Sequence, residues 1–273
     1  MILAQIDLTT GSIPKTLLRF AFPMICGNLL QQLYNVADTL IVGRFLGSDA
    51  LGAVGSSYTL MTFLTSILLG LCMGSGALFS VCWGQRDLAR LRRQTHAAFV
   101  LIAVCTVVLN AAAFLLLDAM KTLLSVPAEV WPLMRSYLFV IFFGIGGTFL
   151  YNYYASLLRA VGNSLVPLLF LAAAAVLNIA LDLVFVLVCR WGVEGAAAAT
   201  VLAQWLSGIG TAVYTLVRCP ELRARREERR ITGAMLRELL SASVLTCLQQ
   251  SVMNLGILMV QGRINSFGPV IMA

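Results

Sequence analysis

Long apolar runs alternate with short polar connections along most of this chain. Each run exceeds 20 residues, and about 20 apolar residues in a helix cross the roughly 30 Å hydrocarbon layer of a bilayer. The pattern therefore predicts helices that span a membrane. The six runs lie at 50–82, 97–117, 131–158, 165–188, 193–217 and 234–260.

A further helix, predicted to begin near Lys15 and to end near Gly43, is less uniformly apolar. Its polar residues Asn28, Gln31, Asn35 and Asp38 share one face at helical spacing, with Tyr34 beside them. An aspartate at the centre of a bilayer costs about 2.5 to 3.5 kcal/mol, so we expect this face to meet protein or water. We interpret Asp38 as an ion or proton site.

Pro23 lies within the same predicted helix. A proline removes one backbone hydrogen bond and favours a kink, which membrane helices tolerate when neighbours or water satisfy the freed carbonyl. The kink has two interpretations, a simple packing feature or a bend linked to the polar face.

Polar side chains recur in two later runs. Asn178 and Asp182 stand four residues apart, so they project from one helical face and supply a second intramembrane carboxylate. Thr200, Gln204 and Ser207 form another polar stripe, for which close packing of the small residues before it is the alternative explanation.

The run at 131–158 is rich in aromatic residues and also carries Asn152. Trp131, Tyr153 and Tyr154 are typical of the aromatic belt at a membrane interface. A binding role stays open for Tyr137.

The composition is that of an integral membrane protein. Hydrophobic residues make up 60% of the chain, charged residues 11%, and the mean hydropathy is +0.90. The net charge of +7 resides mainly in arginine clusters between the runs, so we expect a lipid bilayer and no nucleic acid as partner. The alternation of basic connections places the N-terminus in the cytoplasm. We expect a multi-pass protein of the plasma membrane, of the bacterial inner-membrane type.

Residues for enzymatic chemistry are sparse. The seven cysteines are scattered without a C-x-x-C pair and read as small core residues, and His96 is the only histidine. No H-E-x-x-H or G-x-S-x-G motif occurs. We predict neither an enzyme nor a bound cofactor. Residues 1–15 lack the pattern of a cleaved signal peptide.

A short internal repeat organises the chain. Leu30-Gln31-Gln32 aligns with Leu248-Gln249-Gln250, an alignment that pairs Asp38 with Gly256. The sequence thus predicts an all-α membrane protein with a six-helix N-terminal lobe at 1–217, a basic cytoplasmic linker at 218–233, and the start of a second lobe at 234–273. The last part contains a seventh helix that copies the first.

Four motifs in order resemble the multidrug and toxic compound extrusion (MATE) transporters. They are P-x4-N-x2-QQ-x2-N-x2-D-x4-G at 23–43, SLLRAVGN at 156–163, LNIALD at 177–182 and GVEGAAAAT at 192–200. The resemblance implies about twelve helices in two six-helix lobes around a central cavity, so this chain corresponds to one lobe and one further helix. It also implies secondary active efflux of cationic amphiphilic compounds against H⁺ or Na⁺ by a protein that is monomeric at full length.

The resemblance assigns roles to individual residues. Asp38, Asn178, Asp182 and Thr200 match the N-lobe ion or proton site, where Asp38, Asn178 and Asp182 are possible Na⁺ ligands. Tyr34 and Tyr137 sit beside this site, Pro23 matches the proline at which the first helix bends, and Gln31, Asn35 and Asn152 are expected at the substrate cavity or its gate. The acidic residue of helix seven found in some members is replaced by the uncharged Gln249 and Gln250, so a C-lobe sodium site is not expected.

Three alternatives stay open. The first is that the polar residues form a hydrogen-bonded cluster that only holds helices together. The second is a flippase for lipid-linked sugars or polysaccharides of the same superfamily, which would be expected to line its cavity with Arg or Lys. The third is a non-transporting membrane scaffold or an inactive fragment.

Overall fold

The computed structural model describes residues 12–268, and this part of the chain is a helical bundle without a β-strand. The predicted all-α class is confirmed. The helices are α1 (Ile13–Leu46), α2 (Ser48–Gly84), α3 (Leu88–Leu115), α4 (Ala119–Leu123), α5 (Trp131–Ile141), α6 (Ile145–Ala160), α7 (Leu165–Asp182), α8 (Gly192–Arg218) and α9 (Gly233–Asn265). The N-terminal end for which we predicted no signal peptide lies outside the described residues, apart from 12–15.

The predicted membrane spans are present. Among the described residues, six helical segments are long and apolar enough to cross a bilayer. They are Ser48–Gly84, Leu88–Leu115, Trp131–Ala160, Leu165–Val188, Gly192–Arg218 and Gly233–Asn265. α1 is long enough, at 34 residues, but is not among these six segments.

Two predicted boundaries are wrong for local reasons. The connection predicted between the runs at 50–82 and 97–117 is mostly helical, because the Asp87 carboxylate accepts a hydrogen bond from the Arg90 amide at 2.9 Å and caps α3 at Leu88. α1 continues past Gly43 to Leu46, since the chain leaves the helix only at Gly47, whose φ of 91° favours glycine.

Two spans contain irregular turns. A 3₁₀ turn at Phe142–Gly144 separates α5 from α6, and a π-helical turn at Leu183–Val188 follows Asp182. The predicted linker also contains 3₁₀ turns, Pro220–Leu222 and Arg226–Arg229. A π turn within a membrane helix often marks a functional position.

Small residues bring the helices into close contact. A Cβ atom added to Gly74 would lie 2.4 Å from the Cα of Ser243, and one added to Gly208 would lie 2.6 Å from the carbonyl oxygen of Gly147. The first contact joins α2 to α9, and the second joins α8 to α6. Backbone approach of this kind is how helices associate within lipid, where the hydrophobic effect is weak.

α1 packs on α2 and α7 and leaves an apolar side uncovered. Its exposed residues recur at helical spacing: Leu18, Phe22, Ile25, Leu29, Leu33, Val36 and Leu40. The polar face predicted for α1 therefore points away from this stripe and into the bundle.

Candidate functional site

The polar face of α1 lines a cavity of about 530 Å³. This face contributes Asn28, Gln31, Tyr34, Asn35 and Asp38 to the wall, as their helical spacing predicts. The Asn35 amide donates hydrogen bonds to Gln32 and to the Tyr58 hydroxyl, both at 3.3 Å. The cavity is therefore lined by polar groups on the side of α1.

The other walls come mainly from α2, α5, α6 and α8, with one residue each from α7 and α9. They include Tyr137, Asn152 and Thr200, which the sequence singled out. Tyr137 is buried, and Asn152 donates a hydrogen bond within its own helix to the Thr148 carbonyl at 2.8 Å. Tyr137 therefore belongs to the cavity and not to an interfacial belt.

Two carboxyl groups lie close together beside this cavity. Asp38 of α1 is half-buried and lines the cavity, and its carboxyl group contacts that of Asp182 on α7. Asp182 is fully buried and lies in the last turn of α7, immediately before the π-helical turn. Two acceptor-only carboxylates in contact repel each other unless a proton or a cation lies between them.

Asn178 and Thr200 complete the group. The Asn178 amide donates a hydrogen bond to the Thr200 hydroxyl at 3.2 Å, which joins α7 to α8. Asn178 also lines a smaller cavity of about 40 Å³, which shares Tyr34 and Thr200 with the large one. The four residues predicted as an ion site are thus brought together from three helices.

Several oxygen atoms of this group have no protein donor. Asp38 Oδ1, Asn178 Oδ1 and both carboxylate oxygens of Asp182 are buried and accept no hydrogen bond from the described residues. A buried polar atom without a partner is costly, so a proton, a cation or water is needed to satisfy it. Carboxylate and amide oxygens are hard ligands, so their chemistry fits Na⁺ as well as H⁺.

The described residues hold no cluster of three or more His, Cys, Asp or Glu side chains. The donor set at this site is therefore two carboxylates with an amide and a hydroxyl.

Pro23 lies apart from these residues. It is inside the continuous helix α1 but does not line the large cavity. The structure thus places it on the element that carries Asp38, and the choice between a packing kink and a functional bend stays a prediction.

Arg159 follows the predicted run at 131–158, which places it in the connection after that run, but the helix continues past it. Arg159 lies in the last turn of α6 and lines the large cavity, where its buried Nε has no acceptor among the described residues. Tyr58 and Gln204 also line the cavity. The stripe at 200, 204 and 207 was a signal for Gln204, whereas nothing in the pattern of α2 distinguished Tyr58.

The sequence and fold match known transporters. The MatE family model matches residues 23–184. The chain is 35% identical over 210 residues to the probable multidrug resistance protein YpnP of Bacillus subtilis, an alignment that covers 77% of this chain and 47% of that protein. It is 26% identical over 252 residues to the probable multidrug resistance protein NorM of Thermotoga maritima, with coverages of 90% and 54%.

A solved structure has the same fold. A MOP superfamily transporter from Pyrococcus furiosus, reported to have a binding pocket of reverse polarity, superposes with a TM-score of 0.86 at 23% identity. That match covers 94% of this chain and 57% of the transporter, and the chain spans about half the length of the curated relatives it matches. Because the family model matches more than half of the chain, the chain belongs to the MatE family of multi-pass membrane transporters.

Proposed function

We propose that this chain forms the ion-coupled half of a multidrug exporter that exchanges cationic amphiphilic compounds for H⁺ or Na⁺. The observation that carries the proposal is the contact between Asp38 and Asp182, whose buried oxygens have no protein donor, at the wall of a cavity of about 530 Å³. The multidrug names of the relatives agree with it. We propose no catalytic activity and no soluble cofactor.

The positions of the two carboxyl groups suggest an order of events. Asp38 faces the cavity, whereas Asp182 lines neither the large nor the small cavity, so an ion reaches Asp182 by way of Asp38. Loading neutralises the negative charge that holds a cationic substrate in the cavity. Ion and substrate then compete for the same charge, which is the requirement for antiport. We infer that loading favours one shape of α1, bent or straight.

We place the N-terminus in the cytoplasm of a plasma membrane of the bacterial inner-membrane type, and we expect a monomer at full length. The basic residues support this orientation. Most of them lie at the end of the bundle where α3 and α9 begin and α6 and α8 end, hereafter the basic end. Basic residues are retained on the cytoplasmic side.

The ion site can be tested on the chain itself. Infrared difference spectra of the purified chain in lipid nanodiscs would be recorded between two pH values and between Na⁺ and K⁺. We expect a carboxyl signal in one of the two comparisons, lost in Asp38→Asn and in Asp182→Asn. Asp49→Asn is the matched control, because Asp49 is exposed. A carboxyl signal that persists in both Asp38→Asn and Asp182→Asn would contradict the proposed ion site.

Transport requires a second measurement. Efflux of a fluorescent organic cation would be followed under an imposed proton gradient and then a sodium gradient, in cells that express the chain together with a supplied second lobe. We expect gradient-driven efflux that Asp38→Asn abolishes and Asp49→Asn retains. A wild-type chain with the carboxyl signal but without efflux would refute export by this chain and favour the scaffold alternative.

A second candidate function follows from Arg159. A guanidinium in the cavity wall with an unpaired Nε would bind a phosphate or carboxylate, as a flippase for lipid-linked sugars requires. The two candidates differ in the effect of Arg159→Gln. Export of an organic cation should survive this change, whereas transport of an anionic substrate should not.

A further inference from the structure

Another cavity, separate from the ion site, lies at the basic end of the bundle. Its volume is about 240 Å³. Its floor is α6 with Tyr153 and Tyr154, and one wall is α3 with His96 and Phe99. The other wall is the end of α8 at Leu216. The segment between α8 and α9 covers it with Leu222, Arg223, Ala224 and Arg229.

An ion pair holds this cover in place. The Arg92 guanidinium of α3 binds the Glu228 carboxylate with hydrogen bonds of 2.8 to 3.0 Å. Glu228 also accepts a hydrogen bond from the Arg225 amide at 2.9 Å, which shapes the 3₁₀ turn. The cover is therefore an ordered part of the cavity, because the Glu228 carboxylate is bonded both to α3 and to the backbone of the cover.

The cavity is positively charged. Arg223 and Arg229 line it, and Arg229 lies close to His96, but no Asp or Glu is among the lining residues. Neither guanidinium forms an ion pair or a side-chain hydrogen bond within residues 12–268. A concave site with two unpaired guanidinium groups is suited to an anion, and a phosphate is the group that arginine binds best.

Part of the cavity wall is apolar and belongs to a helix that can span a membrane. Phe99 and Leu216 belong to its walls, and Leu216 and the adjacent Val217 are 45% and 67% exposed on the surface of a membrane-spanning helix. Tyr154 also lines the cavity, with its ring centroid 6.2 Å from that of Phe99. A cavity with a basic cover and apolar walls matches a phospholipid, which has a phosphate and acyl chains, better than a free phosphate.

From this geometry we infer an anionic phospholipid site, in which Arg223 and Arg229 bind the headgroup phosphate and one acyl chain lies along the groove between α3 and α8. The site does not depend on the proposed transport activity. It would hold the cover against the membrane surface at the point where the N-terminal lobe continues into α9.

The test is native mass spectrometry of the delipidated full chain, titrated with phosphatidylglycerol or with phosphatidylcholine. We expect one phosphatidylglycerol bound more tightly than any phosphatidylcholine. The double variant Arg223→Gln with Arg229→Gln should lose about 30-fold in affinity, because each basic residue near a lipid surface contributes about a factor of five. Neither side chain bonds to the described protein, so the variant should fold normally.

Two controls isolate the cavity from its charge. Arg218→Gln with Arg230→Gln removes the same charge from exposed positions that do not line the cavity, and should keep the affinity within twofold. Ala224→Phe keeps the charge, fills the cavity and should also displace the lipid. Three results would overturn the inference: equal binding of phosphatidylcholine, equal loss in the Arg218 and Arg230 control, or equal competition by inorganic phosphate at the same concentration.

Discussion

The contact between α2 and α9 yields the sharpest stability prediction. A Cβ atom at Gly74 would lie 2.4 Å from Ser243 Cα, and one at Gly70 would lie 2.5 Å from Cys247 Cα. Nonbonded carbon atoms prefer about 3.5 to 4.0 Å, so Gly74→Ala forces the two backbones apart by about 1 Å. No flexible side chain can relieve this contact, because the nearest atoms belong to the backbone of α9.

The expected magnitude follows from two opposing effects. Overpacking of a tight core costs about 1–3 kcal/mol, whereas alanine in a helix gains about 1 kcal/mol over glycine. Gly55→Ala is the matched control, because Gly55 lies in α2 and a Cβ atom there has no neighbour within 4 Å. We therefore expect Gly74→Ala to be less stable than Gly55→Ala by about 1–3 kcal/mol.

The assay is unfolding of the purified chain in mixed micelles as the SDS fraction rises, followed by circular dichroism. Each variant is compared with wild type at the same detergent concentration. Equal stability of Gly74→Ala and Gly55→Ala would refute the reasoning, because it would mean that α9 does not meet α2 at this distance.

Two further predictions use the same interface and the linker. Asn265→Ala should lower the stability in the same SDS assay by about 1–3 kcal/mol, because the buried Asn265 amide donates a hydrogen bond to the Leu124 carbonyl at 3.0 Å. Asn254→Ala should lower it less, since the Asn254 amide donates only within its own helix. The Arg92 guanidinium holds the pKa of Glu228 below its ordinary value, so their ion pair contributes fully above about pH 4.3 and is lost as the pH falls through the lower folded-state value. Hydrogen exchange at 220–229, corrected for its intrinsic rate, should increase at that acidic pH in wild type and show no such step in Glu228→Gln.

Most of the fold could be predicted from the hydrophobic pattern. Runs of more than 20 apolar residues leave few alternatives to a membrane helix, so each run corresponds to an observed segment. The ends were less predictable. A cap such as Asp87 acts through one local hydrogen bond. Because of it α3 begins at Leu88, well before the predicted run at 97–117.

The candidate site was partly predictable for a related reason. Helical spacing placed Asp38 with the amides of α1 and Asn178 with Asp182, because periodicity reports which residues share a face. It does not report which faces meet, so the expectation that Asp38 and Asp182 lie together came from the family resemblance alone. Arg159 was missed because an arginine at the end of an apolar run is usually solvated, and only the packing of α6 shows that it lines the cavity.

α1 and α9, which the sequence predicts to be two copies of one repeat, differ in how they pack on their neighbours. This difference bears on how ion binding could change the shape of the protein. α9 meets α2 through backbone at Gly70 and Gly74 and through buried polar groups, so the two helices should move together. α1 meets its neighbours through side chains: a Cβ atom at Gly27 would lie 3.7 Å from the side chain of Leu168, and one at Gly43 would lie 3.3 Å from the side chain of Leu51. Asp38 belongs to α1, and its counterpart in the predicted repeat is Gly256, so at this position only α1 carries a carboxylate that a proton or Na⁺ can neutralise. A shape change driven by loading is therefore expected in α1, with α9 fixed to the bundle as its reference.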